Sequence, residues 1–136
     1  MSRLSRALLA GPALLAVLLG GCGAGSGGEL ALDVSLDPDP PRVGASAVVL
    51  KALDADGAPL RGADVRIEAN MDHAGMVPVF ADARETAPGT YEARITFTMA
   101  GDWYLLVSAE AADGRELTGT VRVPGVQTDA GTGGGE

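Results

Sequence analysis

Apolar and polar residues alternate along most of this chain, from Leu30 to Val126. In LALDVSL, at 30–36, every second residue is leucine or valine, so these side chains would share one face of an extended strand. ADVRIEAN (63–70) and TYEARITFTM (90–99) repeat this period of two, and no segment keeps a helical period. Turn-forming glycine, proline and aspartate residues separate about seven such segments. The sequence therefore predicts an all-β fold, an antiparallel immunoglobulin-like β-sandwich of about seven strands.

The same pattern predicts the places of single residues in this sandwich. WYLLVSAEA (103–111) is mostly apolar on both faces, as a central strand would be, and Trp103 is the natural large core residue. Pro78 in VPVFAD predicts an edge position, because proline cannot donate a hydrogen bond to a neighbouring strand. Cys22 is the only cysteine, so no intramolecular disulfide forms and the fold depends on its core alone.

The first 21 residues have the composition of a secretory signal. Arg3 and Arg6 precede an apolar run, ALLAGPALLAVLLGG, and Cys22 follows it. Glycine and proline interrupt this run, which is shorter than the ~20 residues of a membrane-spanning helix. The segment LGGC, at 19–22, resembles the lipobox of bacterial lipoproteins: an aliphatic residue, two small residues and a cysteine. The resemblance implies cleavage before Cys22 and acylation of that cysteine, with fatty acids such as palmitate.

These assignments divide the chain into four parts. They are a lipoprotein signal peptide at 1–21, the lipidated Cys22 with a flexible Gly/Ser linker at 22–29, the β-sandwich domain at 30–126, and a polar, Gly-rich tail at 127–136 that we expect to be disordered. We therefore expect an exported protein anchored to a membrane through its lipid, either periplasmic or on the outer cell surface. Which membrane carries the anchor stays open.

The excess of acidic over basic side chains limits the classes of molecule that can bind this domain. Removal of Arg3 and Arg6 with residues 1–21 leaves 8 of the 10 basic side chains against 18 acidic ones, a formal charge of −10. A strongly acidic domain is repelled by nucleic acid and by anionic lipid surfaces. We expect no nucleic-acid partner. Acidic residues tolerate cations, but scattered Asp and Glu more often keep an exported protein soluble.

A group of soft metal ligands lies within six residues of NMDHAGMVPVF (70–80): Met71, His73 and Met76. Thioether sulfur is soft and uncharged and imidazole is borderline, so the set suits Cu(I) and is poor for Mg²⁺ or Ca²⁺. In an extended segment Met71 and His73 would share a face. Gly75 can adopt a positive φ, which would let the chain turn and bring Met76 back toward them. The alternative is a loop histidine in solvent beside methionines that fill gaps in the core.

Met99 is a weaker fourth candidate for a metal ligand. It precedes AGDW at the end of a strand, and alternation places it with Ile95 and Phe97, in the core or at its rim. Trp103 could pack over such a site, although its assignment to the core is stronger.

The segment from Leu53 to Gly114 resembles the YtkA-like domain, which is related to the FixH family. The matching elements are D-x-D-G-x-P-x-x-G-A-x-V (54–65), a methionine-containing segment (71–76), P-G-x-Y (88–91) and M-A-G-x-W (99–103). The resemblance implies a small, exported or membrane-tethered immunoglobulin-like domain in the neighbourhood of copper handling and cytochrome oxidase assembly. Family members tend to carry a Met-Pro-Gly-Met type segment, whereas this chain has MDHAGM and so adds His73.

Two functions follow as expectations. The first is a lipid-anchored domain that binds Cu(I) through Met71, His73, Met76 and more weakly Met99, and assists copper delivery or oxidase assembly, with a cytochrome oxidase or a copper transporter as partner. The second is a metal-free, immunoglobulin-like accessory module of a membrane complex, docking through an edge strand or a loop. We expect no enzyme, because the sequence has no catalytic triad around His73, no three-histidine zinc set and no phosphate-binding loop.

Overall fold

The computed structural model describes residues 28–128, which form eight β-strands. The proposed signal peptide, Cys22, most of the linker and the tail beyond Thr128 lie outside the described residues. The strands are β1 (Gly28–Glu29), β2 (Ala31–Asp37), β3 (Gly44–Leu53), β4 (Asp64–Met71), β5 (Val79–Ala87), β6 (Thr90–Phe97), β7 (Gly101–Glu110) and β8 (Glu116–Val126). Between Gly28 and Thr128 there is no helix long and apolar enough to cross a membrane.

The strands pack as two sheets that share β5, in the order β1-β8-β7-β4-β5-β6-β3-β2. The first sheet contains β1, β8, β7, β4 and residues 79–83 of β5; the second contains the remainder of β5 with β6, β3 and β2. All neighbours are antiparallel except the short pair β1 and β8. The predicted antiparallel immunoglobulin-like β-sandwich is confirmed.

β5 passes from one sheet to the other. Its residues 79–83 pair with β4, whereas Arg84, Glu85 and Ala87 pair with β6, with a register irregularity before Ala87. Each half therefore has one neighbouring strand and ends its own sheet, which agrees with the predicted edge position. The strand begins at Val79, so Pro78 precedes it and does not lie within it as predicted. Gly28 and Glu29, which the sequence assigns to the linker, form β1 against Leu117 and Thr118 of β8.

The core consists of the alternating apolar residues that face inward from both sheets. Trp103 is 1% exposed, and its ring meets Phe97 edge-on with centroids 5.3 Å apart. The inward positions of β4 and β6 are those that the period of two predicts, including Val65, Ile67 and Ala69 on β4. β7 lies between β8 and β4, which agrees with its apolar composition.

The antiparallel order sorts the loops between two ends of the sandwich. The proximal end contains the start of β1 and the loops at 54–63, 88–89 and 111–115. The distal end contains the loops at 38–43, 72–78 and 98–100 and the end of β8. At this distal end Gln127 forms backbone hydrogen bonds with Pro41 and Val43, which joins the end of β8 to the β2–β3 loop.

Hydrogen bonds from Tyr91 join the proximal loop at 54–63 to β6. The Tyr91 hydroxyl donates to the carbonyl of Leu60 at 2.7 Å and accepts from the N–H of Ala63 at 3.1 Å. The residue is fully buried, and burial raises the pKa of its hydroxyl. The loop therefore has a fixed position although it contains no strand.

Glu85 makes a second connection at the proximal end. Its carboxylate accepts hydrogen bonds from the backbone N–H groups of Gly62 and Gly89. The Gly89 bond is the largest of the influences that lower the pKa of Glu85, and the Gly62 bond acts in the same direction. The turn at 88–89 and the loop at 54–63 are thus held by one carboxylate.

Candidate metal site at the distal end

Met71 is the last inward-facing residue of β4 and closes the distal end of the core. Its side chain is 9% exposed, and it lies opposite Trp103 of β7. The thioether methyl carbon Cε approaches Gly101 so closely that a Cβ atom there would lie 2.8 Å from it. Gly101 also has a φ of 126°, which side-chain-bearing residues rarely adopt. The side chain of Met71, at the end of β4, therefore packs against the start of β7.

The loop after Met71 contains a tight turn from His73 to Met76. The N–H of Met76 donates to the carbonyl of His73 at 3.3 Å, and Gly75 has a φ of 85°. Ala74 has no positive φ, so the turn has the signature of type II, with glycine at its third position. This positive φ at Gly75 agrees with the prediction from the sequence.

His73 lies in this turn and does not continue the inward–outward alternation of β4. Because β4 ends at Met71, the expectation that Met71 and His73 share the face of an extended segment does not hold. His73 is exposed, whereas Met71 is buried. Met76 is half-buried and packs against the core, and Asp72 is exposed beside His73.

Met99 lies in the β6–β7 loop at the same end. Its side chain is 45% exposed, so it belongs to the rim rather than to the core. Its backbone carbonyl accepts a hydrogen bond of 2.9 Å from Nε1 of Trp103. The buried indole therefore fixes the backbone of Met99 while the thioether stays accessible. Sequence reasoning missed this role of Trp103, although the M-A-G-x-W spacing contains both partners.

The fold thus collects its soft ligands at one end. Within residues 28–128, all three methionines and the histidine lie at the distal end, in or beside the loops at 72–78 and 98–100. His73, Met76 and Met99 are wholly or partly accessible to solvent, and Met71 is beneath them in the core. No group of three or more His, Cys, Asp or Glu residues in the described part of the chain could hold a metal. A metal bound by Met71, His73, Met76 and Met99 would be held largely by thioether sulfur, which suits Cu(I) rather than a hard cation.

Comparisons with solved structures give only distant similarities. The soluble domain of PmoD from a Methylocystis species is 14% identical with a TM-score of 0.46, covering 71% of this chain and 90% of that one. Murine CRIg is 12% identical with a TM-score of 0.43, over 74% of this chain and 98% of that one. The ZirS C-terminal domain is 12% identical with a TM-score of 0.40, over 90% and 85%. These values are too low for any of the three to indicate a function here.

Sequence comparison gives the family directly. No curated protein matches the chain. The model of the YtkA-like family matches residues 29–108, which extend from β1 into β7 and include every candidate ligand at the distal end. The predicted resemblance is confirmed over more than half of the sequence, and the chain belongs to the YtkA-like family.

Proposed function

We propose that this protein is an exported YtkA-like domain, anchored through a lipid on Cys22, that binds Cu(I) at its distal end and assists copper delivery or the assembly of a copper-containing oxidase. The observation that carries the proposal is the placement of His73, Met76 and Met99 on two neighbouring loops, with Met71 below them. Met71, His73 and Met76 share this end because they lie within six residues of one another, and the pairing of Met71 with Trp103 brings the loop of Met99 to the same end. These residues can bind the same metal ion only if they lie at the same end of the sandwich.

The exposure of the ligands supports transfer of the metal rather than its storage. His73 is exposed and Met99 is 45% exposed, so a ligand from a second protein could approach a bound ion from solvent. Thioethers are neutral and do not form disulfides, so they remain available as ligands in an oxidising compartment. An ion held by accessible neutral ligands can pass to a partner by stepwise exchange.

The position of the site relative to the N-terminus also supports the proposal. The described chain begins at the proximal end, and the candidate ligands lie at the opposite end. β4 connects the two ends with eight residues, about 25 Å at ~3.3 Å per residue. An anchor at Cys22 would leave the distal loops directed away from the point of attachment, where the metal-binding end of a partner protein could reach them.

An anaerobic titration of the mature domain with Cu(I), against a competing chromophoric chelator, tests this function. We expect about one equivalent bound and a loss of at least about tenfold in affinity when His73→Ala, Met76→Ala and Met99→Ala are combined, since the variant then keeps only Met71 of the candidate ligands. Met71→Leu keeps the volume of the buried side chain and tests the sulfur of Met71 separately. Absence of binding, or binding that survives loss of all four ligands, would contradict the proposal.

The second candidate function is a metal-free accessory module of a membrane complex. It is favoured by two apolar side chains that the fold leaves in solvent near the distal loop, Val77 at 76% and Phe80 at 62% exposure. Exposed apolar groups of this size mark contact surfaces when they form part of a larger patch. The Cu(I) titration separates the two functions, because a purely docking module would leave all of the metal with the chelator.

A further inference from the structure

Three carboxylates lie side by side across the outer face of the first sheet. Asp64 of β4 faces Glu110 of β7, and Glu110 faces Glu116 of β8. All three are exposed, and the Cβ atoms of residues directly opposite in an antiparallel pair are about 4.5–5.5 Å apart. Like charges placed directly opposite destabilise a sheet. This carboxylate row, at 64, 110 and 116, therefore raises the free energy of the isolated domain.

Within residues 28–128, no ion pair involves any member of this carboxylate row. The ion pairs formed within residues 28–128 join Arg66 to Asp82 and Arg115 to Asp113. Arg66, the nearest basic residue on β4, is thus engaged with another carboxylate at 3.2 Å. A surface cleft of about 560 Å³ lies between the carboxylate row and this ion pair. The cleft is lined by more acidic than basic side chains, so it favours a cationic occupant.

The distal half of the same face carries two exposed apolar side chains, Phe80 and Leu106, on either side of one further carboxylate. Phe80 of β5 faces Glu68 of β4, which faces Leu106 of β7. Phe80 is 62% exposed and Leu106 is 38% exposed. Glu68 is half-buried between them and accepts a hydrogen bond of 3.0 Å from the side-chain amide of Asn70. Because residues paired directly across strands share a face, Phe80, Glu68 and Leu106 form one exposed row.

We propose that this outer face, formed by β5, β4, β7 and β8, docks a partner protein that brings basic side chains to the carboxylate row and an apolar contact to Phe80 and Leu106. A cationic partner would remove the repulsion between the three carboxylates, which the isolated fold leaves uncompensated. An arginine of the partner could also pair with Glu68 beside the ring of Phe80. The net charge of −8 opposes a second copy of the chain, an anionic membrane or nucleic acid as occupant.

The docking face is independent of the copper proposal. None of Met71, His73, Met76 and Met99 belongs to it, so loss of metal binding and loss of docking are separate results. The three side chains of the carboxylate row are exposed and do not belong to the core, so they can be neutralised without disturbing the core.

Site-specific photo-crosslinking in the producing cell tests the docking face. The full chain carries p-benzoylphenylalanine in place of Phe80, and a matched chain carries it in place of Thr96, which is exposed on β6 of the second sheet. We expect an adduct with one protein from position 80 and not from position 96. Mass spectrometry should map the adduct to a segment rich in Lys or Arg. Combining Asp64→Asn, Glu110→Gln and Glu116→Gln should reduce its yield at least about tenfold.

The same triple variant provides a check that does not need the partner. Removal of the repulsion should make the purified domain more stable than the parent at low ionic strength, as thermal unfolding would measure. A variant of equal or lower stability would overturn the premise that the carboxylates repel one another. An adduct that forms equally well in the triple variant, an adduct with lipid or with a second copy, or no adduct at all would overturn the docking face.

Discussion

Tyr91 connects two separate parts of the sequence through a single hydroxyl group. The group donates to Leu60 and accepts from Ala63, and it lies in a side chain with no exposed surface. Its two partners belong to the D-x-D-G-x-P-x-x-G-A-x-V segment, whereas Tyr91 belongs to P-G-x-Y. The two motifs thus meet at the proximal end. Their role there is to hold a loop, away from the candidate metal ligands.

Replacement of Tyr91 by phenylalanine should destabilise the domain without changing its shape. Tyr91→Phe leaves the carbonyl of Leu60 and the N–H of Ala63 without this partner, which costs about 1–3 kcal/mol for buried groups. Chemical denaturation monitored by the fluorescence of Trp103 would measure the loss. The ring of the variant fills the same space, so a much larger loss would contradict a role limited to hydrogen bonding.

Both the backbone conformation and the packing at position 89 require glycine. Its φ is 73°, and a Cβ atom there would lie 2.7 Å from Cβ of Pro59. Gly57 has a similar φ of 79° with no atom within 4 Å, so it is a matched control. Gly57→Ala should cost about 1–2 kcal/mol from backbone strain alone, and Gly89→Ala should cost more because Pro59 must also move. Equal losses of unfolding free energy would show that the contact with Pro59 has no effect.

Met71 and Met99 should differ in their contributions to stability. Met71 is 9% exposed and packs on Gly101, so Met71→Ala should cost about 2–5 kcal/mol by leaving a cavity. Met99 is 45% exposed, and Met99→Ala should change the free energy of unfolding by no more than about 0.5 kcal/mol. Thermal unfolding of the two apo variants would measure both values. A large loss in Met99→Ala would place its side chain in the core.

At the scale of secondary-structure elements, Glu85 is the residue of β5 that holds the proximal loops. Its carboxylate accepts hydrogen bonds from the loop at 54–63, through Gly62, and from the β5–β6 turn, through Gly89. These hydrogen bonds stabilise the ionised carboxylate of Glu85 more than the protonated carboxyl group, so they lower its pKa, and the bond from Gly89 contributes most. The contacts of these elements therefore depend on pH.

The pH dependence has a defined direction. Because the pKa of Glu85 is lower in the folded state, its contribution to stability is complete above the ordinary glutamate value of 4.5 and is lost as the pH falls through the lower folded value. Wild-type stability should therefore fall more steeply in this acidic range than that of Glu85→Gln. Denaturation series from pH 7 to pH 3 on both proteins would measure the difference. Parallel curves would contradict it.

The elements also show which features of the fold could be predicted from the sequence. Alternation identified the inward residues of β4 and β6, because successive side chains of any strand point to opposite faces of the sheet. It did not identify the division of β5 between two sheets, because the pairing of residues 79–83 with β4 and of 84–87 with β6 depends on distant strands. VPVFAD and the residues after it therefore appeared as a short strand and a turn, whereas one strand extends from Val79 to Ala87 and leaves Val77 and Pro78 in the preceding loop.

The candidate site was predictable to a similar extent. The residue types and their spacing indicated Cu(I) chemistry, and the positive φ of Gly75 followed from glycine alone. The burial of Met71 and the exposure of His73 did not follow, because they depend on where β4 ends. The placement of Met99 beside the same loop required the β4–β7 register, which pairs Met71 with Trp103.

At the scale of the whole molecule, the two ends of the sandwich differ in the residues they contain. The proximal end contains the hydrogen bonds of Tyr91 and Glu85, which fix loops near the start of the described chain. The distal end contains every methionine and the histidine of residues 28–128. This division is consistent with the proposed function, in which the domain is anchored near its N-terminus and binds Cu(I) at the distal end.

X-ray absorption at the copper edge tests this division most directly. The mature domain is loaded anaerobically with one equivalent of Cu(I), freed of unbound metal, and compared with a matched sample in which Met76→Ala and Met99→Ala are combined. We expect sulfur together with nitrogen in the first coordination shell of the parent, and a decrease of the sulfur contribution in the double variant. A shell of nitrogen and oxygen alone, or a domain that retains no copper, would contradict it.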